Sequence, residues 1–203
     1  AEFLSGALGP QTRILLLRGP PGSGKASVLR ALCADLGFEL LEWNPAVRSS
    51  RGAAAKGALR AEPLGDAFLR FLAETDRYSS LQADEGPRIR RPRMTLVRDF
   101  PFTLFEGRHE GGLQLSDRFR TLLQSGAVHR AAFCFNDALE DHRIVSRLFA
   151  LTAVPVTSIH FDGVPRTFAQ KALDAVARAE GFEPSALATA ALAAECGGDL
   201  RHA

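Results

Sequence analysis

The sequence lacks any long apolar run. No stretch approaches the roughly 18 residues a helix needs to cross a bilayer, which excludes a protein spanning the membrane by helices. It has only three cysteines, Cys33, Cys134 and Cys196, and none of them stand in CxxC spacing. That excludes a disulfide-stapled scaffold and argues against a zinc site. Few thiols in apolar surroundings suit a reducing interior, cytosol or nucleus. An excess of one charge is also missing: the net charge is +2, too small by itself to argue for nucleic acid. There are no internal repeats and no signal-peptide pattern. The chain begins at Ala1 rather than Met, which suits a piece of a longer protein. Lysine is nearly absent. It stands at Lys25, Lys56 and Lys171, and the other 22 of the 25 basic residues are Arg. A GC-rich coding genome explains that bias, and it makes the retained Lys25 stand out.

What is present is ordinary for a folded domain. Hydrophobic residues make up 46% and charged residues 24% of 203 residues, which excludes a disordered or collagen-like chain and allows one substantial α/β domain. Strand and helix patterns alternate. Residues 14–17 form a continuous apolar run ending in a Gly/Pro turn, as a buried parallel strand does. Residues 25–36 have helical spacing and stop at Gly37. Residues 38–42 predict a second strand, and 48–62 a loop or weak helix. Pro63 and Asp66 open a helix carrying Phe68, Phe71 and Leu72. Residues 83–93 read as a charged connector, 94–97 as a third strand and 105–112 as a polar loop. A helix over 113–123, a fourth strand over 131–135 and a fifth over 158–161 follow. Residues 167–180 and 185–196 then predict two Ala-rich helices with no strand between them. The expected architecture is a five-stranded parallel sheet flanked by helices (1–163) followed by a partial helical lid (164–203).

Gly19-Pro20-Pro21-Gly22-Ser23-Gly24-Lys25 matches the GxxxxGK phosphate loop, between the predicted strand and helix where that motif belongs. Glycines let successive N–H groups turn toward a phosphate, the helix N-terminus adds its positive end, and Lys25 supplies a point charge. The motif is incomplete. The next position normally carries a Ser or Thr whose hydroxyl binds Mg²⁺, and here it is Ala26. Ser27 comes one residue late, about 100° further round the helix.

Residues 94–99 resemble an apolar strand ending in acid, the Walker B pattern that serves Mg²⁺ and the attacking water. Arg98 stands where a first acid would be, leaving Asp99 alone as the weak metal or water-orienting candidate. The alternative is a simple strand end with a Pro turn, which Asp also favours. Both departures, Ala26 and Arg98, fall on metal positions. An Arg there competes with Mg²⁺ for phosphate, so weak hydrolysis with surviving binding is expected.

In order along the chain, Glu42-Trp43-Asn44-Pro45, Phe68-Leu69-Arg70-Phe71-Leu72 with Tyr78 and Leu81, Leu96-Val97-Arg98-Asp99-Phe100-Pro101, Phe161-Asp162-Gly163-Val164-Pro165 and Gly198-Asp199-Leu200-Arg201 add specificity that the loop alone does not have. Together they resemble the large-subunit family of the checkpoint clamp loader, a relative of replication factor C. Arg98 departs from an acid this family keeps. The resemblance implies an AAA+ module that binds ATP in the nucleus beside four small clamp-loader subunits. That machine would place the heterotrimeric checkpoint ring on DNA junctions, with no membrane involved. It implies that Asn136 is sensor one, with a turn cap as the alternative, and that Arg201 reaches the γ-phosphate from the lid. Ser146-Arg147 is faintly similar to an arginine-finger segment, but its surroundings do not match. The Arg88–Arg93 cluster is either a solvated loop or a DNA-phosphate contact. An adenine-clasping segment before Ala1, the rest of the lid and a collar domain are expected outside this piece. The competing readings are a degenerate AAA+ scaffold and a P-loop phosphotransferase. The second lacks its magnesium Ser/Thr and an acceptor-site base.

Overall fold

A computed structural model describes residues 14–44, 63–74, 92–105, 110–128, 130–136, 139–149, 154–183 and 185–200. Five strands form one parallel sheet in the order β2-β3-β4-β1-β5. They are β1 (Ile14–Arg18), β2 (Glu39–Glu42), β3 (Arg93–Val97), β4 (Ala131–Phe135) and β5 (Val156–His160). The register aligns Leu16 with Phe133 and Phe133 with Val97, so the carboxyl ends of β1, β4 and β3 share one rim. A sheet of parallel strands covered on both faces needs near-continuous apolar strands, and β4 (Ala-Ala-Phe-Cys-Phe) is buried throughout.

The helices among the described residues are α1 (Lys25–Asp35), α2 (Leu64–Glu74), α3 (Phe102–Phe105), α4 (Glu110–Gln124), α5 (Leu139–Phe149), α6 (Arg166–Ala179) and α7 (Ala186–Glu195). One face of the sheet packs an aromatic cluster: Phe68 of α2, Phe105 of α3, Phe119 of α4 and Phe149 of α5 close on Phe133 and Phe135 of β4. The opposite face is aliphatic, with Leu15, Leu17, Met94, Leu96, Ala132 and Cys134 against Leu29 and Cys33 of α1. The alternation of side chains along each strand makes this division. After β5, α6 and α7 pack on each other around a small core of Ala169, Ala193 and Cys196.

Two predicted elements come out differently, and one helix is new. The loop expected over 105–112 gives way at its end to α4, which begins at Glu110 and takes Gly111 and Gly112 into the helix. Burial of Leu115, Phe119 and Leu123 one turn apart outweighs the roughly 1 kcal/mol each glycine costs. Strand β5 runs over 156–160 rather than 158–161 because its pairing follows β1, ending at Arg18 opposite His160. Helix α5 has no counterpart in the residue patterns; Val145, Leu148 and Phe149 bury its inner side. The predicted loop or weak helix over 48–62 and most of the 83–93 connector lie outside the described residues. Arg93, at the connector's end, opens β3 and pairs with Glu39 at 2.8 Å.

Candidate nucleotide-binding site

The loop between β1 and α1 owes its path to glycine. Gly22 has φ 66° and Gly24, the N-cap of α1, has φ 86°, both in the left-handed region where a side chain is strained. Gly22 is required for a second reason: a Cβ there would overlap the Asp199 carboxylate, which follows α7. A Cβ on Gly19 would likewise overlap the Phe161 carbonyl oxygen. The loop is thus enclosed by two segments far away in sequence, one just after β5 and one just after α7. The Val164 N–H donates to the Gly198 carbonyl at 3.2 Å and ties those two segments together.

Lys25 opens α1 and is buried. Its ammonium donates to the Gly19 carbonyl at 2.8 Å and the Pro20 carbonyl at 2.6 Å, with Ser23 Oγ at 3.4 Å. The lysine therefore lies folded over its own loop, beside the N–H groups at the start of α1. Pro21 is exposed, and Ser23 is half-buried. Ala26 is half-buried with its methyl against the aliphatic cluster, whereas Ser27 is exposed.

Around the loop the rim carries charge. Arg98 and Asp99 follow β3, both exposed, and Asn136 follows β4, also exposed. Because β4 lies between β3 and β1, Asn136 stands on the strand next to the loop and Asp99 one strand further out. Arg30 of α1 holds Glu42 of β2 in a two-pronged ion pair, Nε–Oε1 2.5 Å and Nη2–Oε2 2.8 Å. That bond, with help from the Arg98 charge, holds the Glu42 carboxyl below the usual carboxylate range and the Arg30 guanidinium above its usual value. Burial pushes the Cys134 thiol up to about 11, against the pull of Lys25, Arg98 and Arg30. Among the described residues no group of three or more His, Cys, Asp or Glu could hold a metal ion.

The structure brings the loop residues, Asp99 and Asn136 to one rim. Arg201 lies outside the described residues, as do Arg88, Arg90 and Arg91; Asp199, two positions before Arg201, packs on the loop. Arg147 donates to the Phe105 carbonyl at 2.5 Å, anchoring α5 to α3. Pattern reading missed Asp199, although it had singled out the segment that carries it. It also missed the Arg30–Glu42 pair, which no local signal announces.

Comparison with known proteins agrees with this architecture. The family model described as "Rad17 P-loop domain" matches residues 2–142. The checkpoint protein rad17 of Schizosaccharomyces pombe is 23% identical over 95% of this chain and 35% of its own length. The human cell cycle checkpoint protein RAD17 is 25% identical over 94% of this chain and 30% of its own. The chain thus spans about a third of the length of these curated relatives. A replication factor C large subunit from Methanopyrus kandleri is 38% identical over 55 residues, 27% of this chain and 11% of that protein. With its glycine-shaped loop and carboxyl-end rim set in a sheet that the family model covers over β1 to β4, this chain belongs to the Rad17 P-loop domain family.

Proposed function

We propose that this chain is the ATP-binding AAA+ module of a checkpoint clamp-loader subunit. It acts in the nucleus with four small clamp-loader subunits to place a heterotrimeric checkpoint ring at DNA junctions. The observation that carries the reading is the loop itself: left-handed Gly22 and Gly24 before a helix N-terminus, with Lys25 folded over them. An incoming triphosphate would accept from the loop N–H groups and from Lys25, which would exchange a loop carbonyl for phosphate oxygen. Asn136 would read the outer phosphate or the water, Asp99 would orient the water, and Arg201 would approach from residues 164–203, acting as the lid. Hydrolysis by this chain is weak, because Ala26 has no hydroxyl for Mg²⁺ and Arg98 replaces an acid.

The test is co-purification of the full-length protein with the small subunits, with and without ATP, beside Lys25→Ala. Association strengthened by ATP and insensitive to ATP in Lys25→Ala is the expected result, with slow turnover in the same samples. Association indifferent to ATP in both proteins would select the second reading, a scaffold module without nucleotide turnover, which Ala26 and Arg98 favour. Brisk Mg²⁺-dependent hydrolysis by the chain alone would sink the weak-hydrolysis reading.

A further inference from the structure

We infer that this site takes its nucleoside triphosphate without a divalent cation, and that Arg98 supplies the positive charge the cation would have brought. The inference rests on the ATP-binding reading above and concerns how the triphosphate is neutralised.

Mg²⁺ at a phosphate loop is held by a hydroxyl directly after the loop lysine and by an acid at the end of the neighbouring strand. The donor set here does not fit it. Ala26 turns a methyl into the cluster of Leu29, Leu17 and Cys134. The strand-end position carries Arg98. Glu42, the carboxylate at the end of β2, is engaged at both oxygens by Arg30 and cannot stand in as a free ligand. Two other acids stand by the loop and the strand ends: Asp199 is buried against Gly22 of the loop, and Asp99 is exposed directly after Arg98. At the strand ends a hard cation that prefers several oxygen ligands would meet the Asp99 carboxylate beside the Arg98 guanidinium.

The charge balance gives the positive half of the inference. An acid that holds a divalent cation carries, with it, one net positive charge. Arg98 carries the same charge alone. Val97, the last residue of β3, pairs with Phe133 of β4, and Phe133 pairs with Leu16 of β1, so Arg98 follows directly at the rim that carries the loop, exposed to solvent. Its influence on both Glu42 and Cys134 agrees with that placement. A guanidinium also offers five donors in a planar fork suited to phosphate oxygens. It neutralises but does not polarise a water as a metal does, so binding and turnover separate at this site.

The experiment uses the full-length protein and a fluorescent ATP analogue, titrated in EDTA and again in Mg²⁺. Wild type is compared with Arg98→Glu, Lys25→Ala and the double variant Ala26→Thr with Arg98→Glu; circular dichroism verifies folding. Wild-type affinity should differ by less than about threefold between the buffers, under 1 kcal/mol. Arg98→Glu should lose at least about tenfold in EDTA, and the double variant should regain most of it in Mg²⁺. Wild-type binding at least about tenfold weaker in EDTA would overturn the inference and leave ATP binding standing. Equal affinity of wild type and Arg98→Glu in EDTA would overturn the role of Arg98. Absence of binding in both buffers, or binding unaffected by Lys25→Ala, would overturn the parent reading and this one with it.

Discussion

On the α4 face of the sheet, phenylalanines interlock. Phe119 meets Phe133 edge-on at 6.1 Å and Phe149 edge-on at 5.6 Å, and Phe100 touches Phe105 at 5.0 Å. On the α1 face the strands offer Leu, Met, Ala and Cys to Leu29 and Cys33. Both faces are apolar and buried, but they differ in kind. Rings of 150–250 Å² each add large apolar areas and prefer defined edge-to-face geometries, so the aromatic face resists change. The other side is built of smaller and unbranched side chains, Ala132, Cys134 and Met94 among them, with Ala26 packed against the same cluster. The phosphate loop leads into the helix on that plainer side. The comparison teaches that stability is concentrated on one face and nucleotide chemistry at the rim of the other.

The sharpest way to break that division is Phe119→Ala. Phe119 is fully buried, and its loss should cost about 3–5 kcal/mol in urea denaturation. Nucleotide affinity of the folded protein should stay within about twofold, under 0.5 kcal/mol; a larger loss would show the two faces to be coupled. Next in size is Gly22→Ala. The left-handed φ costs about 1–2 kcal/mol, and the methyl pushes Asp199 off the loop. Here affinity for the ATP analogue should fall as well, and unaltered affinity would mean that the loop tolerates the displacement.

Glu42→Gln should cost less, about 0.2–1 kcal/mol, because the pair with Arg30 is partly solvated. Its pH dependence has a definite sign. The folded Glu42 carboxyl is held below the usual range, so its contribution is present above the unfolded value of about 4.3 and disappears as pH falls through the folded value. Denaturation curves of Glu42→Gln and wild type should converge in acid; a constant gap would refute the assignment. The smallest effect belongs to Cys134. Its thiol titrates at about 11, above the 9.0 of a free group, so it costs no stability at neutral pH. Stability should decline as pH rises between those values. Native Cys134 should resist iodoacetamide at neutral pH and react once the chain unfolds; rapid native alkylation would contradict its burial.

Much of this was legible in the chain. The phosphate loop is a contiguous signature in which seven residues carry geometry, helix start and charge together, so local reading finds it. The same holds for β1 and β4, whose unbroken apolar runs admit few alternatives. Helix α4 was misjudged at its start because Gly111 and Gly112 read locally as loop. Helix α5 went unread because its amphipathic pattern becomes visible only once β4 supplies something to bury it against. The Arg30–Glu42 pair was out of reach, since nothing in either segment demands the other.

The residues themselves determined the loop chemistry, because the permissive glycines, the lysine and the missing hydroxyl at Ala26 are properties of adjacent positions. They also determined the alternation that sends Phe to one face and Leu, Ala and Cys to the other. The meeting of Asp199 with Gly22 and of Phe161 with Gly19 was decided by the fold. Those contacts join segments more than a hundred residues apart. Only the sheet order, with β1 between β4 and β5, brings the end of β5 and the turn after α7 against the loop. Local propensity carries no record of which distant backbone will pass within van der Waals distance, so the same Gly22 is legible as a phosphate-loop glycine and illegible as a seat for Asp199.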